Sequence, residues 1–314
     1  MLHRFTLATA SVLFVLMMMG GLVHNTDSSL VCPDWPGCHG QIIPIKNVDS
    51  GTFLEHYAHR SLGATLGVLS IILMIGLARR ARRDRDPALV GFGVVVFGLI
   101  TTVGMLGRYT VLSRLSWWAS SAKLSLASLT LSLLVYLYFR LRPVSSSARI
   151  ALPRRVQIAS ALMAALVYAQ MVLGAVMRHR GAGLACLDVP LCRGSIWPSD
   201  VVFDVRLHIM HRFVGVLVFL SSIALAWIAT KDLRAGTSAR RLAFAAPLLA
   251  VLQVTLGVLS ITTFLSLAPR TLHLTVAALL LCDVWSLHLL SRGALRKPTR
   301  DEETESLSAE GAVA

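Results

Sequence analysis

Residues 207–230 read LHIMHRFVGVLVFLSSIALAWIAT: His208, His211 and Arg212 open a run that carries no further charge to its end. It is longer than the roughly 20 residues that cross a bilayer's hydrocarbon core. Seven more runs read the same way, at about 5–23, 55–78, 88–106, 117–139, 156–177, 242–265 and 271–290. The chain of 314 residues is 55% hydrophobic and 15% charged, with a mean hydropathy of +0.68. An ordinary soluble domain carries about 25% charge. The fold class expected is therefore all-α, a polytopic membrane protein with eight transmembrane helices. A soluble enzyme and a secreted disulfide scaffold are excluded.

The charge is lopsided, 30 Lys+Arg against 16 Asp+Glu, a formal +14. These bases fall between the apolar runs, which points to membrane topology rather than to nucleic acid. Counted by side, 19 lie with the termini, 8 lie on the opposite face, and Arg60, Lys123 and Arg212 fall inside runs. Both termini are thus expected in the cytoplasm of a multi-pass cell-membrane protein, with 292–314 a disordered tail. The first run also reads as a secretory signal; without a clear A-x-A cleavage site it is taken as a helix.

Two long outer loops, 24–54 and 178–206, each carry a cysteine pair, CPDWPGC (Cys32, Cys38) and CLDVPLC (Cys186, Cys192). Thiols on the outer side of a membrane oxidise, so two local disulfides are expected. A metal site is the alternative, although neither loop has a CxxC spacing. The pairs expose an internal repeat. Leu30–Gly40 matches Leu184–Gly194 at an offset of 154, HYAHR (56–60) matches HIMHR (208–212) at 152, and Leu106-Gly107 matches Leu256-Gly257 at 150. Two pseudo-symmetric four-helix bundles follow, 1–143 and 144–291, with both loops on one face.

Polar residues inside a membrane are costly and mark sites. His211 and His273 open the sixth and eighth helices at matched depth, an arrangement suited to bis-axial haem ligation. The alternative is a pair of interfacial histidines solvated by headgroups. In the first half His59 answers His211, but Lys123 holds the place of His273, so that half offers one imidazole. Open coordination suits chemistry; closed coordination suits electron transfer. Glu55 stands four residues before His59, on the same helical face. It is read either as a proton-handling group or as a hydrated helix-start residue. Arg60, Lys123 and Arg212 are candidate contacts for haem propionates. Cys282 reads as a small apolar core residue.

CPDWPGCHG, EHYAHR, LVYAQMVLGAVMRH, GLACLDVPLC, HIMHR, QVTLGVLS and LHLTVAALLL, in this order, resemble the CtaA-type haem A synthase family over essentially the whole membrane region. The resemblance implies a haem-containing membrane oxidoreductase that turns haem O into haem A for terminal oxidase assembly. The change is oxidation of a porphyrin methyl to a formyl group. It implies iron of a haem b on His211 and His273, and substrate haem O, delivered by a haem O synthase, in the first half on His59 with Glu55 catalytic. The family pattern has its glutamate three residues before the histidine and a second histidine on the fourth helix. Here Glu55 stands four before, and Lys123 replaces that histidine. A non-catalytic haem b protein for electron transfer or haem handling is the alternative. A transporter is disfavoured, since the helices lack paired Gly/Pro breaks.

Overall fold

The computed structural model describes residues 1–42, 49–143, 151–199 and 202–293, with 54–56 described in their backbone alone. The expected tail from 294, and the linker 144–150 where the two halves were expected to divide, lie outside the described residues. Among the described residues, eight helices are long and apolar enough to cross a membrane. They are α1 (Leu2–Asn25), α2 (Ser50–Asp84), α3 (Ala88–Leu112), α4 (Trp117–Leu141), α5 (Arg154–His179), α6 (Phe203–Asp232), α7 (Ser238–Thr262) and α8 (Leu267–Ser291). In hydrocarbon every backbone amide and carbonyl must pair within its own segment, which a helix achieves. Among the described residues no strand occurs, only the isolated bridges Cys38–Gln41 and Cys192–Ser195.

Serines and threonines within these helices return their hydroxyls to the chain. Thr6 donates to the Leu2 carbonyl at 3.0 Å, Thr130 to Leu126 at 2.7 Å and Ser128 to Leu124 at 2.9 Å. Such side chains are small and self-satisfied, so neighbouring helices pack closely over them. Ser160, Ser222 and Thr130 are fully buried for this reason, beside buried Ala243, Ala246 and Ala278.

The helices mostly outrun the apolar stretches read from sequence. One expectation is corrected in the other direction: α7 stops at Thr262, short of Leu265. Phe264 (φ 48°) and Leu265 (φ 62°) turn left-handed and cannot continue a helix. The end of α3 closes alike, with Arg114 (φ 51°) and Leu115 (φ 69°). The Leu115 amide donates to Thr110 at 2.8 Å, and the Leu265 amide to Ser260 at 2.7 Å. A further departure lies inside α2, where Phe53–Arg60 is a π-helix rather than an α-helix.

α1, α2, α3 and α4 touch in a ring, as do α5, α6, α7 and α8. The rings meet where α4 packs on α5 and α8, and α1 on α8. The Trp285 indole donates to the Ser132 carbonyl at 2.8 Å across that seam. In α8, 56% of the apolar window is buried against 22% in α2, α3 and α7, so α8 lies at the centre. Arg178 near the end of α5 reaches Asn25 at the end of α1, so both cysteine loops leave the bundle at one end, called here the disulfide end.

Candidate functional site

Cys32–Cys38 and Cys186–Cys192 are disulfide-bonded, each across six residues. The two loops repeat one design. Each has a cis proline (Pro36, Pro190), then a residue and a glycine at positive φ (His39 and Gly40; Arg193 and Gly194). Asp34 accepts from the His39 and Gly40 amides at 2.7 and 2.8 Å, and Asp188 accepts from Gly194 at 2.9 Å. The Gly194 and Arg193 amides, with the charge of Arg212, hold the Asp188 carboxyl below its ordinary range.

Arg60 and Arg212 clamp these loops from the helices beneath. Arg60 donates to the carbonyls of Asp34 (2.8 Å), Cys32 (3.0 Å) and Gly37. Arg212 donates to Asp188 (2.7 Å), Leu191 (2.6 Å) and Cys186 (2.7 Å), and more weakly to Pro190 (3.3 Å). The sequence placed both arginines as contacts for haem propionates. In the structure each guanidinium donates to carbonyls of its own loop, since a planar fork can satisfy several converging carbonyls at once.

Beneath the second loop, α6 and α8 bring His211 and His273 together. Their ring centroids are 6.4 Å apart and their planes cross at 59°. Each ring lies against a glycine. A Cβ on Gly174 would stand 2.9 Å from His211 Cε1, and one on Gly257 would stand 3.2 Å from His273 Cε1. The Gln170 amide donates to the His211 carbonyl at 2.8 Å and fixes the helix turn that carries the ring. His211 Nδ1 and His273 Nδ1 are both buried without a hydrogen-bond partner. His208, one turn from His211, is a structural residue instead: its ring bonds the Ala182 carbonyl at 2.9 Å.

In the first half, His59 lies against Gly20, whose Cβ would meet Nε2 at 3.4 Å, and its Nδ1 is also buried and unpartnered. Gly20 and Gly174 are related by the loop offset of 154. Lys123 lies against Gly107, its Cδ 4.0 Å from the Cβ position there, as His273 lies against Gly257 at the offset of 150. The side chain of Glu55 lies outside the described residues, but its backbone belongs to the π-helix that ends at Arg60. A π turn holds about one residue more than an α turn. Four residues in it therefore sweep roughly the arc that three sweep in an α-helix.

The residues fit a haem. His211 and His273 face each other with buried Nδ1 atoms that have no hydrogen-bond partner, a donor pair that would suit the iron of a haem. Among the described residues no group of three His, Cys, Asp or Glu converges as a bare metal ion requires. Two imidazoles would leave the remaining positions of an iron to be filled by a porphyrin.

Sequence reasoning missed the glycine beds, which show only as single glycines in apolar runs. It also missed a polar seam at the disulfide end, where the His24 and His179 rings meet edge-on at 5.1 Å and Ser121 Oγ lies 3.2 Å from His179 Nδ1.

The family model described as COX15-CtaA, cytochrome oxidase assembly protein, matches residues 3–284. The heme A synthase of Symbiobacterium thermophilum is 29% identical over 282 residues, 87% of this chain and 89% of that protein. That of Halalkalibacterium halodurans is 30% identical over 238 residues, 73% and 78%. That of Shewanella oneidensis is 26% identical over 304 residues, 85% and 89%. With the family model covering almost all of its membrane helices, the chain belongs to the COX15-CtaA family of cytochrome oxidase assembly proteins.

Proposed function

We propose that this protein is a haem A synthase, a multi-pass membrane oxidoreductase that oxidises a methyl group of haem O to a formyl group for oxidase assembly. The observation that carries the reading is the facing pair His211 and His273, 6.4 Å apart between centroids. These two would hold a haem b, which supplies one-electron transfer when bound. Gly174 and Gly257 leave room for the rings, and Gln170 fixes the turn of α6 that presents His211.

In the first half His59 would hold the iron of haem O, the substrate. Glu55, in the π-helix, would take up or release protons beside the methyl group. The arginine-clamped loops would lie over both sites on the extracytoplasmic side, with both termini cytoplasmic. The recurrence of loop, arginine and glycine bed supports reading 1–143 and 144–291 as duplicated halves.

Co-expression with a haem O synthase, followed by pigment extraction, tests the activity. Haem A should accumulate and should vanish in Glu55→Ala and His59→Ala. Extracts holding haem O alone, from protein with normal haem b content, would overturn it. One observation favours a second reading, a non-catalytic haem b protein: Lys123 fills the bed that in the second half holds a histidine.

A further inference from the structure

We infer that Arg178 and Arg270 form a seat for the two propionate carboxylates of the haem held between His211 and His273, an assignment that rests on the haem reading above. Arg178 stands four residues after Gly174, the bed of His211, and Arg270 three residues before His273. Residues so spaced share a helix face. α5 runs toward the disulfide end and α8 runs from it, so the backbones at both arginines lie about one turn, roughly 5 Å, outside the level of Gly174 and His273.

The guanidiniums are oriented from one side. Arg178 Nη2 donates to Asn25 Oδ1 at 2.6 Å and to the Gly21 carbonyl at 3.1 Å. Arg270 Nη2 donates to the Asn25 carbonyl at 2.8 Å, and Asn25 Nδ2 in turn donates to Thr271 Oγ1 at 2.9 Å. The Nε of each arginine is buried with no partner. Among the described residues neither arginine pairs with a carboxylate, as Arg180 and Arg140 do.

A bridge from α1 to α5 and α8 through neutral acceptors needs hydrogen-bond donors, which glutamines supply without charge. Two cations beside each other in a membrane protein are far more costly unless an anion joins them. Guanidinium forks match carboxylates in geometry as well as charge. Arg60 and Arg212, by contrast, are bonded to the carbonyls of their own loops.

The seat also distinguishes the halves. At the repeat offsets of 154 and 150, Arg178 and Arg270 correspond to His24 and Ser120, so the paired arginines occur in the second half alone. A resident haem gains retention from two fixed cations, whereas a substrate haem must leave after reaction.

The test is haem loss from the purified full chain to excess apomyoglobin, with resonance Raman on the bound fraction. Arg178→Gln and Arg270→Gln should each release haem about tenfold faster or more while the bound fraction stays low-spin. Arg178→Lys should recover part of the retention. Since Arg178 also ties α1 to α5, the full chain is in addition loaded with haem dimethyl ester, which lacks the two charges. The ester should leave wild type as fast as haem leaves Arg178→Gln, with no further loss in that variant. Wild-type release rates in both glutamine variants, or ester held as firmly as haem, would overturn the seat and leave the haem reading intact. A wild type without a low-spin spectrum would overturn both.

Discussion

Lys123 stands to Gly107 as His273 stands to Gly257: the lysine Cδ lies 4.0 Å from the Cβ position of Gly107, in the bed where the second half keeps an imidazole. The exchange changes what the first half can do with an iron. On the proposed reading, Lys123→His converts haem loaded there from five- to six-coordinate and lowers oxidation of haem O. Lys123→Met weakens haem binding in that half and leaves the second-half spectrum unchanged. Resonance Raman of both variants loaded with haem O checks this; a five-coordinate Lys123→His means that position 123 does not face the iron.

Gly174→Ala places a Cβ 2.9 Å from His211 Cε1, too close to keep the ring where it is, whereas Gly20→Ala meets His59 Nε2 at a tolerable 3.4 Å. Overpacking of this kind costs about 1–3 kcal/mol. Gly174→Ala should convert part of the second-half haem to high spin, and Gly20→Ala should not alter that spectrum. Optical titration against temperature measures both, and equal effects would contradict the glycine-bed account.

The disulfides close short loops, so each should contribute on the order of 2–3 kcal/mol at most. Because Arg212 holds the second loop through four carbonyls, Cys186→Ser/Cys192→Ser should lower the melting temperature and keep the low-spin spectrum at room temperature. Arg212→Met should loosen the same loop more than loss of the disulfide does. Proteolysis between 186 and 199 gives the ranking, and the reverse order would count against the clamp.

The Asp188 carboxyl titrates below its ordinary value because the Gly194 and Arg193 amides and the Arg212 charge favour its ionised form. A depressed folded value adds stability above the unfolded value, which is lost as pH falls through the folded one. Protection of the Gly194 amide should thus be flat from about pH 8 to about pH 5 and should fall in more acidic solution. Hydrogen exchange followed by mass spectrometry reads this. Asp188→Asn, which cannot titrate, should abolish the acid step.

The helices were legible because hydrocarbon thickness sets a length that apolar runs either meet or miss. The facing of His211 and His273 was legible because the repeat fixes their depth. What escaped was decided by side-chain reach. Position alone does not say that Arg212 bonds the carbonyls of its own loop, which converge on it only once the loop has folded. His208 stands one turn from His211, and nothing in the sequence says that the Ala182 carbonyl takes its ring. The π turn at Phe53–Arg60 left no mark in composition, since it shows only as a spacing of four where three was expected. The left-handed pair Phe264-Leu265 was hidden because both residues are apolar and extend the hydropathy signal past the true helix end.

The central claim is that His211 and His273 together hold one haem iron, and low-temperature EPR of the purified oxidised protein tests it most directly. A low-spin ferric signal from two imidazoles is expected in wild type, lost in His211→Ala and in His273→Ala, with His208→Ala unchanged. A wild-type low-spin signal that survives in the His211→Ala/His273→Ala double variant would contradict the account.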